Sequence, residues 1–89
     1  MKIKIVMHGN CRDIFHKQAL QINFDKKVKV KDIRNKLIEI IKHKHLANKA
    51  YISLVKASAF CSQHDEIVND NYLLNNDKII TIIPPIGGG

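Results

Sequence analysis

Six residues at the end of the chain, Pro84-Pro85-Ile86-Gly87-Gly88-Gly89, suggest a reactive terminus. The reactive group is not a side chain but the carboxylate expected on Gly89, held at the tip of a thin strand of backbone. Glycine lacks Cβ and takes up backbone angles closed to other residues, so three in succession can enter a channel too narrow for side chains. Pro84 and Pro85 do the opposite. Each fixes φ and favours extended polyproline geometry, which sends the tail away from the folded body in one direction. Four residues from Ile86 onward, at about 3.3 Å each, reach roughly 13 Å, enough to carry the terminus into another protein's active site. Small residues are also common in frayed ends. Here, however, the apolar run Ile79-Ile80-Thr81-Ile82-Ile83 feeds the prolines with no polar linker between, which favours a presented tail.

The side chains offer no competing constellation. Cys11 and Cys61 stand fifty positions apart without a Cys-x-x-Cys pair, and both are expected to be reduced thiols. The histidines (His8, His16, His43, His45, His64) lack the clustered spacing of a zinc site, and His43 and His45 would point to different sides of a helix, so no metal is expected. The net charge is +7, and Lys26, Lys27, Lys29, Lys31, Arg34, Lys36, Lys42 and Lys44 face only Asp32 and Glu39, a local +6. Such a stripe could meet phosphate or an acidic partner. No aromatic residue is interleaved to stack on a base, so nucleic acid is disfavoured and the lysines read as a solvated face.

These residues need a scaffold, and 89 residues suffice for one domain with a single core. The hydrophobic fraction of 45% and the charged fraction of 26% are those of an ordinary globular protein. No apolar run approaches the ~20 residues that cross a bilayer, and Met1-Lys2-Ile3-Lys4-Ile5-Val6 is too short and too alternating for a signal peptide, so a cytoplasmic location is expected. Residues 2 to 8 alternate as a half-buried strand, and Gly9-Asn10 breaks it. Cys11 to Phe15 reads as a turn or helical bend. Leu20, Ile22 and Phe24 alternate in a second strand, antiparallel to the first.

From Val30 the period changes. Val30, Ile33, Leu37, Ile40 and Ile41 recur at helical spacing, predicting an amphipathic helix of about four turns with Asp32 in its first turn and Lys42, His43 and Lys44 in its last. Ile38 flanks the stripe, either at the core edge or exposed. Tyr51 to Val55 reads as a strand, and Ala57 to Cys61 as a second strand segment or its continuation. Gln63 to Glu66 is a loop, Ile67-Val68 a short edge segment and Asn69 to Asn71 a turn. Tyr72-Leu73-Leu74 leads into a turn over Asn75-Asn76-Asp77-Lys78. Ile79 to Ile83, apolar on both faces, belongs at the centre of the sheet beside the first strand. The class is α+β, a mixed sheet with one main helix packed across it and the other face partly wet or covered by a partner.

This order of elements resembles the β-grasp fold of ubiquitin. Asn76-Asp77-Lys78-Ile79 followed by Ile82-Ile83-Pro84-Pro85-Ile86-Gly87-Gly88-Gly89 is similar to the C-terminal signature of the small subunit of molybdopterin synthase, which ends in an aromatic or aliphatic residue, two prolines, an aliphatic residue, a small residue and Gly-Gly. The resemblance covers the whole chain in layout and about its last fourteen residues in detail. The thiamine-pathway sulfur carrier and ubiquitin share Gly-Gly but usually lack the double proline. The chain departs from the pattern in its charge and at Lys56-Ala57-Ser58, where the family usually has a small residue, Val and Asn.

The resemblance implies a β-grasp domain over residues 1–83 and an extended tail over 84–89. It further implies that a ubiquitin-activating-like adenylyltransferase adenylates the Gly89 carboxylate with ATP, and that sulfur is then carried there as a thiocarboxylate. Gly88, Gly87 and Ile86 would insert into the large synthase subunit within a heterotetramer, with Pro84 and Pro85 orienting them. The chain itself would bind no cofactor and supply no catalytic side chain. A ubiquitin-like protein modifier, or a sulfur carrier for thiamine or tRNA thiolation, is the alternative use of the same terminus.

Overall fold

Alternation in the first strand orients everything after it. In the computed structural model, which describes residues 1–44, 46, 48–75 and 77–85, β1 (Lys2–Met7) turns Ile3, Ile5 and Met7 into the core and Lys2 and Lys4 outward. β2 (Ala19–Asn23) returns antiparallel, with Ile22 opposite Ile3 and Leu20 opposite Ile5. Beyond its end Met1 and Phe24 exchange two further hydrogen bonds of 2.7 Å. Between the strands the expected bend is a short helix, α1 (Asn10–Phe15), which buries Cys11, Ile14 and Phe15.

β3 (Val28–Lys29) runs directly into α2 (Val30–Lys44), whose Val30, Ile33, Leu37 and Ile41 are fully buried. Ile38 is buried as well and belongs to the core edge. A helix start leaves its first amides without intrahelical acceptors. Here the Val30 and Lys31 amides donate to the Tyr72 and Asp70 carbonyls at 3.0 and 3.1 Å, and the Lys29 amide donates to Asp32 Oδ2 at 2.9 Å.

The strand expected over Tyr51 to Val55 is instead part of a second helix, α3 (Lys49–Ala57). Its aromatic and β-branched residues suggest a strand, yet that preference is context-dependent and weak. Two features overrule it. Asn48 caps the helix, its Oδ1 accepting from the Tyr51 amide at 3.1 Å. Tyr51, Ile52, Leu54 and Val55 also fall on one helical face, with Val55 fully buried and the other three packed against the core. Ser58 ends the helix in an extended conformation, its hydroxyl donating to the Leu54 carbonyl at 2.6 Å. The strand expected from Ala57 therefore starts two residues later, as β4 (Ala59–Ser62).

β5 (Ile67–Val68) is the expected short edge strand against β4. β6 (Leu73–Leu74) pairs with β3 in a separate two-stranded sheet, outside the sequence-based expectation. β7 (Ile79–Ile83) lies at the centre of the main sheet, parallel to β1 and antiparallel to β4, in the order β2-β1-β7-β4-β5. With α2 packed across one face, this is the β-grasp arrangement expected.

Candidate functional site

The root of the tail is built by register. Met7 of β1 is opposite Ile82 of β7, and Ala59 of β4 is opposite Ile83, so neighbours hold the end of the central strand on both sides. Pro84 and Pro85 follow at once, both half-buried. Continuing the parallel register past Met7 brings Gly9 beside Pro84. Gly9 has φ 52° and ψ −129°, a conformation that side chains rarely adopt. A Cβ built on it would lie 3.2 Å from Pro84 Cγ, tighter than ordinary contact. The turn after β1 thus forms a flat seat for the first proline. Sequence reasoning assigned Gly9 only the role of ending β1. The expected adjacency of first and last strands held the signal that could have found it. Ile86, Gly87, Gly88 and Gly89 lie outside the described residues, as do His45 and Asn76 of the expected helix end and turn.

The sheet face away from α2 carries the outward residues of the same strands. Val6, Thr81 and Cys61 form a half-buried row across β1, β7 and β4, with Ile67 of β5 at its end, 67% exposed. Ile83 and Ala59 pair beside the tail root, and Ile79, 41% exposed, lies next to Lys4 at the other end of β7. The centre of this face is apolar. No described helix packs over it.

The basic stripe divides on inspection. Most of its lysines are exposed, and Lys36 Nζ lies 3.7 Å from Glu39 Oε1. Arg34 does something different, which the sequence reading missed by counting it with the solvated lysines. Its Nη1 donates to the carbonyls of Val55, Lys56 and Ser58 at 2.8, 3.0 and 2.7 Å, where α3 ends and β4 begins. Its Nη2 donates to Asp70 Oδ1 at 2.8 Å, and its guanidinium carbon lies 4.9 Å from the centre of the Phe60 ring. One side chain satisfies carbonyls at the helix end and ties α2, α3, β4 and the loop before β6 together.

Cys11 and Cys61 are both free thiols. Burial pushes the Cys11 thiol upward from its ordinary pKa, opposed by a contact of its Sγ with Ser58 Oγ at 3.8 Å, so Cys11 is a poor thiolate. Cys61 sits half-buried on the outer face. Among the described residues no group of three or more His, Cys, Asp or Glu is placed to hold a metal ion. Nor is any described helix long and apolar enough to cross a membrane. The start of β7 is pinned by Tyr72, whose hydroxyl donates to Asp77 Oδ2 at 2.8 Å, and Asp77 is buried. That bond holds the proton on Tyr72 and raises its pKa, with smaller contributions from burial and from the charges of Asp77 and Glu66.

No family model matches the sequence, and no curated protein matches it. Solved structures match along its whole length. The crystal structure of SAMP1 from Haloferax volcanii has a TM-score of 0.72 at 13% identity over 100% of both chains. A putative molybdopterin converting factor subunit 1 from Pyrococcus furiosus has a TM-score of 0.69 at 14% identity, covering 97% of this chain and 99% of its own. A complex of subunits 1 and 2 of molybdopterin-converting factor from Helicobacter pylori matches at a TM-score of 0.57, 21% identity and 100% of both chains. At these identities the likeness is one of fold, and this chain shares the β-grasp fold with all three.

Proposed function

We propose that this chain is a sulfur carrier of molybdenum cofactor synthesis, working as the small subunit of a molybdopterin synthase. The observation that carries the reading is the end of β7. A central strand gripped on both sides runs without a linker into two prolines, the first seated on Gly9, and then into Ile-Gly-Gly-Gly. The fold shared with a converting factor subunit 1, and with a complex of subunits 1 and 2, supports the same reading.

A free carboxylate is a poor electrophile. In the proposed mechanism an adenylyltransferase joins the Gly89 carboxylate to the α-phosphate of ATP and releases pyrophosphate. A sulfur nucleophile at the oxidation level of sulfide then attacks the acyl carbon and expels AMP, leaving a thiocarboxylate. The tail enters the large subunit, where that sulfur attacks a cyclic pterin phosphate on the way to the dithiolene that holds molybdenum. The nucleophile is carried on the backbone terminus. This chain's own residues need only present it: Gly87, Gly88 and Gly89 pass a narrow channel, Ile86 anchors the tail in an apolar pocket, and Pro84 and Pro85 set its direction from the end of β7.

Intact mass of the protein isolated from its own cell tests the reading. A gain of about sixteen mass units, as sulfur replaces oxygen, and co-purification of a larger subunit are expected. A terminus that carries no sulfur and is joined through isopeptide bonds to lysines of other proteins would overturn it in favour of a protein modifier.

A further inference from the structure

The outer face of the sheet is polarised along β7. At the tail end it shows Ile83 and Ala59; at the far end it shows Lys2, Lys4 and Lys78 around Ile79 and Gln21, which together line a groove of about 410 Å³. The three lysines project from fixed backbone. Lys2 and Lys4 stand in β1, paired with Asn23 and Gln21 of β2. The Lys78 carbonyl accepts from the Lys4 amide at 2.8 Å, and the Lys78 amide donates to Gln63 Oε1 at 3.0 Å. Among the described residues no carboxylate lies within 4.0 Å of these three ammonium groups. Three like charges around an exposed isoleucine, with no described carboxylate beside them, form a surface complementary to an acidic one.

We propose that this end of the outer face docks an acidic patch of the protein that receives the tail, with carboxylates meeting Lys2, Lys4 and Lys78 around an apolar contact on Ile79. The proposal rests on the tail-carrier reading above and adds the chemistry and placement of the partner's surface. Six residue steps from Ile79 to Pro85, at about 3.3 Å each, put the acidic patch roughly 20 Å from the mouth of the channel that takes the glycines. Charges set so far from the reacting carboxylate steer and orient the encounter without touching the chemistry. Lysine also suits a site that must release its partner after each transfer, because its ammonium is strongly hydrated and makes no bidentate grip.

The test titrates the full-length chain, and its Lys2→Glu/Lys4→Glu/Lys78→Glu variant, into the large synthase subunit encoded in the same genome. At low salt the variant is expected to bind at least about tenfold more weakly, with the gap narrowing as added salt screens the pairs. All three positions are exposed, so the melting temperature should stay put, and a triple Lys→Gln variant should fall between the two. Binding by the Glu variant within twofold of the unaltered chain at low salt would overturn the docking proposal. If transfer is nonetheless lost on deleting Gly88-Gly89, the carrier reading survives that result. Failure of the unaltered chain to bind the subunit at all would remove both.

Discussion

The two faces of the central strand carry nearly the same residue type to opposite ends. On the inner face Ile80 and Ile82 are 1% and 0% exposed, packed beneath α2 with Ile5, Met7 and Phe60. On the outer face Ile79, Thr81 and Ile83 range from half-buried to 41% exposed, between lysines at one end and the tail root at the other. The inner face has every apolar group removed from water and is worth stability. The outer face leaves apolar surface wet, the kind of surface that partners cover. The strand therefore carries two kinds of surface at alternate residues, with the tail leaving from the end where β1 and β4 flank it.

Substitutions on the two faces test this division most directly. Ile82→Ala removes buried methyl and methylene groups and leaves a cavity, so it should cost about 2–5 kcal/mol in chemical denaturation. A cost below about 1 kcal/mol would break the contrast between faces. Arg34→Ala should follow at about 2–3 kcal/mol, because it strips one donor group from three carbonyls and leaves Asp70 without its partner. Arg34→Lys should recover only part of this, since an ammonium cannot reproduce the planar fork over Phe60.

Gly9→Ala should cost about 1–2 kcal/mol for its positive φ and for crowding Pro84. Its effect on loading of Gly89 should exceed that of an equally destabilising core change, measured by intact mass after reaction with the adenylyltransferase. Equal effects would mean the seat under Pro84 matters only for folding. Tyr72→Phe should cost about 1 kcal/mol by removing the bond to Asp77. Because the Tyr72 pKa is raised in the folded state, this contribution is fully present below the ordinary tyrosine value and fades as pH climbs through the raised one. Wild type and Tyr72→Phe should therefore converge in stability at high alkaline pH. Smallest of all, Ile79→Thr should leave stability within about 0.5 kcal/mol of wild type while weakening partner binding.

Periodic stretches were legible because one physical rule governed each. Alternation found β1 and β2, the 3.6-residue period found α2, and an uninterrupted apolar run put β7 at the centre of the sheet. Where two rules competed, local preference misled. Tyr51, Ile52 and Val55 carry strand-favouring side chains, but a cap at Asn48 and packing with Leu54 against the core made the segment helical. The β3–β6 pair spans only two residues a side and has no period to read. Arg34 looked like any other cation in a basic stretch, since its partners at Val55, Lys56, Ser58 and Asp70 are more than twenty residues away.

Much of the tail's character was local to the sequence: proline fixes its own φ, glycine lacks its own Cβ, and neither property waits for the fold. Tertiary structure decided where that tail is rooted, because the parallel register of β1 with β7 sets Gly9 under Pro84. It likewise decided which isoleucines of one apolar run are buried, since alternation separates the two faces but only the placement of α2 makes one of them dry.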